Sequence, residues 1–249
     1  MADDDAIFRL FEGLPRQGPG SDACTREALR RLPPLPPAPR VVDLGCGAGR
    51  QTLVLAEALR SKVLAVDLHQ PFLDQLSASA QARGLAPLIE TRCADFGALG
   101  AQPDLAPSSV DLLWSEGAIY LLGFEAGLSL WRPLLAPGGL VVVSECCWLT
   151  DAPEGELAAF WREAYPDMGT VERNVARAES AGFEPLDWWP LPAAAWWDDF
   201  YTPLIGRLAA LEADPALAAP IAETRREIEL FRRYGDSYGY VFYLLRAPG

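Results

Sequence analysis

Residues 41–49 read Val-Val-Asp-Leu-Gly-Cys-Gly-Ala-Gly, and Asp67 stands eighteen residues after the last of these glycines. The run 40–44 has the length of a buried strand, and a helical pattern begins at Arg50. Glycines at such a turn let the backbone approach a ligand without a Cβ in the way, and the helix that follows presents free N–H groups and a positive dipole end. An acid at the end of the next strand is placed to hydrogen-bond a ribose diol. These features together predict a site for a nucleoside-bearing ligand.

The spacing of the glycines discriminates between such ligands. The dinucleotide fingerprint is G-x-G-x-x-G, with pyrophosphate at the helix N-terminus, whereas this chain has G-x-G-x-G at Gly45, Gly47 and Gly49, preceded by Asp43. A carboxylate at that point suits a cationic ligand better than a diphosphate. S-adenosylmethionine carries a sulfonium and an ammonium group and no phosphate, so the pattern favours it as the cofactor over a nicotinamide dinucleotide.

The stretch 43–49 resembles the first motif of the class I S-adenosylmethionine-dependent methyltransferases. Residues 63–67, 93–96 and 134–145 are similar to three further stretches of that family. The likeness covers residues 36–190 well and the rest more loosely. The aromatic and acidic pattern from residue 115 onwards resembles a small-molecule group near the quinone-biosynthesis C-methyltransferases.

The resemblance implies which residues hold the cofactor. In the family an acid accepts from the adenine amino group and the next side chain packs on the ring, which here indicates Asp95 and Phe96. The loop at 16–21 recurs in the group as a flap over the cofactor, so we expect Gln17 or Gly18 to touch the ligand. The expected cofactor-binding residues are Gln17, Gly18, Asp43, Gly45, Cys46, Gly47, Asp67, Leu68, Ala94, Asp95, Phe96, Ser115 and Glu116.

Glu116 is the candidate functional acid, because it follows the fourth predicted strand where the family's residues face both the methionine end of the cofactor and the acceptor. Three interpretations are open for it: orienting the cofactor ammonium, taking a proton from an acceptor, or standing as a solvated loop acid. Tyr120 or a water is the alternative base. His69 is the single histidine of the chain and lies close to the expected adenine position, so a histidine-based O-methyl transfer loses support.

Eight tryptophans are present, and most of them stand after residue 147. Core and lid packing explains many such residues. The alternative is an aromatic pocket for an apolar, aromatic or cationic acceptor. The expected substrate-pocket residues are Tyr120, Trp148, Tyr165, Trp196, Trp197 and Tyr201.

The composition of the chain indicates which kinds of molecule it acts on and where it is located. The formal net charge is −13 and the chain has no stripe of Lys and Arg, whereas nucleic-acid enzymes need a basic groove; we therefore expect a small-molecule acceptor and no nucleic acid. No apolar run reaches membrane-spanning length, and the N-terminal residues lack the features of a secretory signal. Five cysteines without paired spacing predict a reduced, cytoplasmic protein without a disulfide framework. No metal site is expected.

Strand-like and helix-like segments alternate along the chain. The predicted strands are 40–44, 62–67, 87–92, 110–114, 140–146, 183–191 and 238–246, and the predicted helices are 4–13, 21–32, 50–60, 71–82, 124–135, 151–165 and 170–181. The alternation predicts an α/β fold with a Rossmann-like doubly wound sheet, whose ligand site lies outside the strand carboxyl ends, between the first and fourth strands. The resemblance implies seven strands with the last one antiparallel.

The chain 1–249 is expected to be one methyltransferase domain. A helical cap over 1–39 precedes a Rossmann-like core over 40–192 and 236–249, and a helical lid over 193–235 is inserted before the last strand. This long insertion is also a candidate surface for a homodimer.

The expected reaction is in-line displacement at the sulfonium, which transfers a methyl group to a small molecule and requires mainly positioning and desolvation from the protein. Because a fold does not determine its chemistry, two alternatives remain. One is another group transferase that uses S-adenosylmethionine, and the other is a non-catalytic S-adenosylmethionine-binding partner subunit. The glycine spacing and Asp43 disfavour a third, a nicotinamide-dependent oxidoreductase.

Overall fold

A computed structural model describes residues 2–98, 105–151, 153 and 155–249. Its strands are β1 (Val41–Leu44), β2 (Val63–Asp67), β3 (Ile89–Cys93), β4 (Val110–Glu116), β5 (Leu135–Trp148), β6 (Glu184–Pro190) and β7 (Tyr238–Arg246). They form one seven-stranded sheet in the order β3-β2-β1-β4-β5-β7-β6. Strands β1 to β5 pair in parallel, while β7 runs antiparallel to both β5 and β6. The Rossmann-like doubly wound sheet with an antiparallel last strand is thus confirmed.

The helices occupy both faces of the sheet and the space above its strand carboxyl ends. They are α1 (Ala2–Phe11), α2 (Asp22–Arg31), α3 (Arg50–Leu59), α4 (Gln70–Ala82), α5 (Phe124–Trp131), α6 (Gly155–Ala164), α7 (Val171–Ser180), α8 (Ala193–Trp196), α9 (Thr202–Leu211) and α10 (Ala218–Tyr234). A π-helical turn, Trp197–Tyr201, joins α8 to α9. None of the helices in the described part of the chain has both the length and the apolarity needed to cross a bilayer.

Burial explains why the central segments form strands. All four residues of β1 are buried, and β4 is buried at five of its seven positions. A parallel sheet covered on both faces selects near-continuous apolar, β-branched runs of this kind. The side chain of Asp43 is the polar exception inside β1 and is fully buried, which marks the neighbourhood of the ligand site.

The segment between α5 and β5 departs from the predicted helix 124–135 and strand 140–146. Helix α5 ends at Trp131, and a 3₁₀ turn, Arg132–Leu134, follows it. Pro133 stands in this turn and has no N–H to continue an α-helical ladder. Strand β5 therefore begins at Leu135, earlier than the sequence indicates, because pairing with β4 and β7 extends it at both ends.

The N-terminal and C-terminal helical segments pack on each other. Leu10 and Leu14 share a buried apolar cluster with residues of the 193–235 segment, which are Trp196, Phe200, Tyr201, Leu204, Leu208, Leu217, Ile221, Ile228, Leu230 and Phe231. This packing holds α1 over the strand carboxyl ends, where Phe8 and Phe11 reach the glycine loop region. The division of the chain into cap, core and lid remains a prediction.

Helix α5 offers a matched pair of leucines for testing the core. Leu128 is fully buried, whereas Leu130, two residues on, is 44% exposed. We expect Leu128→Ala to lower the free energy of unfolding by about 2–5 kcal/mol, since it removes buried methyl groups and leaves a cavity. Leu130→Ala should change it by no more than about 0.5 kcal/mol. Urea unfolding followed by circular dichroism measures both, and equal losses would contradict the packing of α5 described here.

Candidate functional site

A cavity of about 430 Å³ opens at the carboxyl ends of β1, β2 and β4, a volume typical of small-molecule sites. Its floor consists of the glycine loop and the residues that follow the strands: Gly45, Cys46, Gly47, Asp67, Leu68, Asp95, Phe96, Glu116, Gly117 and Ala118. Its roof consists of Ile7, Phe8, Phe11, Arg16, Gln17, Gly18 and Pro19. This is the switch point of the sheet, as predicted, and we call it the glycine-loop cavity.

The backbone of the glycine loop requires residues without side chains. Gly45 and Gly47 have φ values of +68° and +54°, a region that other residues occupy at a cost. A Cβ at Gly45 would overlap the Cβ of Ala118, and a Cβ at Gly47 would overlap Oε1 of Gln17. The loop therefore presents bare backbone to the cavity.

Asp67 braces this loop from the end of β2. Its Oδ2 accepts a hydrogen bond from the N–H of Gly47 at 2.8 Å, and its Oδ1 accepts one from the N–H of His69 at 2.9 Å. Burial raises the pKa of the carboxyl. The sequence-predicted position for a ribose-binding acid thus lies beside the loop and in the cavity lining.

Gln17 ties the N-terminal segment to the same loop. Its Oε1 accepts a hydrogen bond from the N–H of Ala48 at 2.6 Å, and its Nε2 lies 3.3 Å from the carbonyl oxygen of Leu14, to which it donates. Gln17 and Gly18 both line the cavity. The flap that the sequence predicts at 16–21 is therefore in contact with the glycine loop.

Glu116 is held by three donors at the end of β4. Its Oε2 accepts from Arg16 Nη1 at 3.0 Å, and its Oε1 accepts from Thr25 Oγ1 at 2.7 Å and from Trp114 Nε1 at 2.9 Å. The side chains of Arg16 and Glu116 are only 5% and 4% exposed. These contacts fix the orientation of the Glu116 carboxylate, which favours the interpretation of Glu116 as a positioning residue.

Three expected cofactor contacts lie outside the cavity lining. Asp43 faces α3, where Thr52 Oγ1 donates to its Oδ2 at 2.5 Å and Gln51 Nε2 lies 3.5 Å from its Oδ1. Ser115 is fully buried and its Oγ donates to the carbonyl of Leu44 at 2.9 Å. Ala94 also does not line the cavity. The side chains of Asp43 and Ser115 thus bond to the layer beneath the loop, and direct contact of these three residues with the cofactor remains a prediction.

A second cavity, of about 330 Å³, adjoins the first, and we call it the aromatic cavity. Both cavities are lined by Ile7, Phe11, Gln17, Gly18, Pro19, Gly117 and Tyr120. The predicted pocket residues Tyr120, Tyr165 and Trp196 lie in its wall, and the rings of Tyr120 and Tyr165 meet edge to face at 5.8 Å. The residues that line both cavities therefore form the boundary between them.

The other three predicted pocket residues are not part of that wall. Trp148 packs edge to face on Tyr238 at 6.3 Å, and Trp197 lies 6.0 Å from the ring of Phe231. Tyr201 is fully buried, and its hydroxyl donates to Oε1 of Glu227 at 2.6 Å. These rings pack in the core between the sheet and the helical segment, and their role as substrate-pocket residues remains a prediction.

Some lining residues were not found from the sequence. Arg16 directly precedes Gln17 and Gly18, the two loop residues expected to touch the cofactor. Its pairing with Glu116 could not be inferred from the sequence of the loop alone. Glu227 stands in a charged helical pattern without a local signature.

His69 stacks on Phe8 at 4.5 Å with Nε2 3.0 Å from Oε1 of Glu12, so it attaches α1 to α4. Within the described residues no cluster of His, Cys, Asp or Glu is arranged to hold a metal ion.

Comparison with known proteins agrees with this geometry. A family described as a methyltransferase domain matches residues 41–139. Trans-aconitate 2-methyltransferase of Methylobacterium nodulans is 31% identical over 216 residues, which cover 84% of this chain and 75% of that protein. A methyltransferase structure from Geobacter sulfurreducens, in complex with S-adenosylhomocysteine, has a TM-score of 0.79 at 19% identity and covers 97% of each chain.

The fold and the sequence match together define the class: the chain belongs to the class I S-adenosylmethionine-dependent methyltransferases. Phosphoethanolamine N-methyltransferase 1 of Triticum aestivum is a further relative, 29% identical over 171 residues that cover 67% of this chain. The matched region spans about a third of that plant protein, 32% of its length.

The residues present fit the family's cofactor, S-adenosylmethionine. The glycine loop has no room for a side chain at Gly45 or Gly47, so it contributes backbone to the cavity lining, and Asp67 lies beside it to accept from hydroxyl groups. Both arginines in the lining are already paired, Arg16 with Glu116 and Arg50 with Asp22 at 2.8 Å. Among the described lining residues the cavity thus offers carboxylates but no uncompensated cation, which suits a sulfonium ligand better than a pyrophosphate.

Gly47→Ala should abolish most cofactor binding. Both Gly47 and Gly84 have positive φ, but a Cβ at Gly84 would meet nothing within 4 Å. We expect each alanine variant to lose about 1–2 kcal/mol of stability from backbone strain. Only Gly47→Ala should weaken S-adenosylhomocysteine binding by about tenfold or more, because the added methyl displaces Gln17 from the loop. Calorimetric titration checks this, and equal affinities of the two variants would contradict it.

Asp43 makes the stability of the fold depend on pH. Burial raises the pKa of its carboxyl from 3.8 to about 7, so the folded chain holds a proton that the unfolded chain has lost across this interval. Stability should therefore fall as pH rises from about 4 to 7, by at most about 1.4 kcal/mol per pH unit from this group. In Asp43→Asn the fall should be shallower by this amount. Urea unfolding at several pH values measures both slopes, and parallel slopes would refute the assignment.

Proposed function

We propose that this chain transfers the methyl group of S-adenosylmethionine to a small-molecule acceptor by in-line displacement at the sulfonium. The adjoining pair of cavities carries the proposal: one has the features of the family's cofactor site, and the other is enclosed by aromatic rings. Gln17, Gly18, Gly117 and Tyr120 line both. A reactive carbon held at that boundary faces an acceptor in the aromatic cavity, and such alignment supplies much of the rate enhancement for a transfer of this kind.

The family resemblance supports roles for the acids and the ring in the lining. Asp67 would accept from the ribose hydroxyls, Asp95 would accept from the adenine amino group, and Phe96 would pack on the ring. The backbone of Gly45 and Gly47 allows the ligand to approach the loop closely. Gln17 and Gly18 close the roof and exclude water, which strengthens electrostatic interactions inside the site.

Relatives are named for two different acceptors, phosphoethanolamine and trans-aconitate. Both names support a small molecule as the acceptor of this chain, and neither determines which one. A cytoplasmic location and a homodimer remain predictions; light scattering of the purified chain tests the second.

Methyl transfer is tested with S-adenosylmethionine that carries a labelled methyl group. The chain is incubated with this cofactor and a mixture of small metabolites, and both S-adenosylhomocysteine and labelled products are measured. Label in a product together with S-adenosylhomocysteine supports the proposal. Transfer of another part of the cofactor supports the alternative group transferase, and tight binding without consumption supports the non-catalytic subunit.

Asp67→Ala should weaken S-adenosylmethionine binding by roughly ten- to a hundredfold, since it removes the acceptor for the ribose and the brace of Gly47. Asp74→Ala, on the exposed face of α4, is the matched control, because Asp74 contacts only its helix neighbour Gln70 among the hydrogen bonds observed. Calorimetry with S-adenosylmethionine, S-adenosylhomocysteine and NAD measures the effect, and thermal unfolding verifies that both variants fold. Binding of NAD alone, or unchanged affinity in Asp67→Ala, would overturn the cofactor assignment.

A further inference from the structure

The charged side chains in the described lining of the aromatic cavity are all acidic. Glu223 and Glu227 contribute carboxylates to its wall, and among the lining residues that the structure describes there is no Arg, Lys or His. The Glu227 carboxylate accepts from the Tyr201 hydroxyl at 2.6 Å, so its orientation is fixed. The cavity therefore favours a cationic group over an anionic one.

Aromatic rings enclose the same space. Tyr120, Trp161, Tyr165, Trp196 and Tyr240 line it, and the ring of Trp196 lies 5.4 Å from that of Tyr240. Ring faces attract cations, and aromatic walls are a recurring means of binding ammonium groups. The rings and the carboxylates thus both favour a positively charged group, and the rings can also pack against the apolar part of the same ligand.

Among the described residues that line the two cavities, the cationic side chains already have acidic partners. In the neighbouring glycine-loop cavity, Arg16 is paired with Glu116 and Arg50 with Asp22. Arg226 stacks on the ring of Phe160 at 5.3 Å and does not line the cavity. A buried phosphate or carboxylate without a counter-charge is strongly disfavoured.

We propose that the aromatic cavity binds an amine carried on an apolar body, recognised as a cation by Glu227 and the surrounding rings, and that its nitrogen is the methyl acceptor. This inference rests on the proposed methyl transfer and names the acceptor class for it. It distinguishes this chain from relatives named for trans-aconitate and phosphoethanolamine, since each of those compounds carries an anionic group, whereas the described lining of this cavity has no Arg, Lys or His.

The chemical step balances with the groups at hand. The bound ammonium first gives a proton to the Glu227 carboxylate or to solvent, and burial, which raises the pKa of Glu227, makes that carboxylate a better proton acceptor. The freed nitrogen lone pair forms the new N–C bond while the C–S bond of the sulfonium breaks. The electron pair of that bond stays on sulfur, which leaves neutral S-adenosylhomocysteine and a methylated ammonium product.

The test uses three probes that differ only in one end group: 2-phenylethylamine, 2-phenylethanol and 3-phenylpropionate. The full chain is first titrated with S-adenosylhomocysteine, and failure of this step would sink the proposed function itself. The loaded protein is then titrated with each probe, with tryptamine as a second amine. We expect the amines to bind at least about tenfold more tightly than the alcohol and the acid, and to yield N-methyl products when S-adenosylmethionine replaces S-adenosylhomocysteine. Equal or tighter binding of the alcohol or acid, or no binding of either amine, overturns the acceptor class alone.

A pair of variants on α10 separates the charge of Glu227 from its packing. Glu227→Gln keeps an oxygen to accept from Tyr201 and should weaken 2-phenylethylamine binding by about tenfold, with S-adenosylhomocysteine binding unchanged. Glu229→Gln, two residues away, alters an exposed side chain paired with Arg232 and should leave both affinities unchanged. Unchanged amine binding in Glu227→Gln, or an equal loss in Glu229→Gln, contradicts the role assigned to Glu227.

Discussion

A buried ion pair between Arg16 and Glu116, residues separated by 100 positions, joins the N-terminal segment to the end of β4. Removing one partner of such a pair typically costs about 3–5 kcal/mol, because the other charge is left buried without compensation. Thr25 and Trp114 donate to the same carboxylate, so α2 and the sheet are attached at this point too. The ion pair keeps Gln17 and Gly18 at the boundary of the two cavities, and the shape of both sites depends on that position.

The part of the site that the sequence could predict is the part encoded locally. Gly45, Gly47 and Asp67 sit in a strand–turn–helix–strand unit, and parallel pairing brings the ends of β1 and β2 to one edge of the sheet. Alternation of strand-like and helix-like segments likewise indicated a doubly wound parallel sheet and the place of its switch point. These features follow from steric limits on the backbone and from burial of both sheet faces, which act over a few residues at a time.

What the sequence could not predict depends on the direction in which side chains point after packing. The contacts of Asp43 with Thr52 and Gln51 beneath the loop could not be inferred from its place in the glycine motif. Trp148 and Trp197 were indistinguishable from Trp196 by composition, and only the packing of α8–α10 on the sheet places Trp196 at a cavity wall. Glu227 lies in a helical pattern rich in exposed charges, and its inward orientation follows from its long-range neighbours. Such contacts have no signature at short range.

Electrostatics connects the two cavities more closely than their shared wall does. Two unit charges of the same sign about 4 Å apart repel by on the order of 4 kcal/mol at an effective dielectric constant near 20, so an ammonium placed against a sulfonium is destabilised relative to the neutral amine. The Glu227 carboxylate offsets this repulsion while the amine enters. Once the proton has left, the repulsion disappears and the nitrogen lone pair becomes available at the same moment. A cavity whose described lining has carboxylates and rings but no Arg, Lys or His therefore favours both capture of the amine and its conversion into a nucleophile. An anionic acceptor would instead meet carboxylates at the wall and be attracted only by the sulfonium.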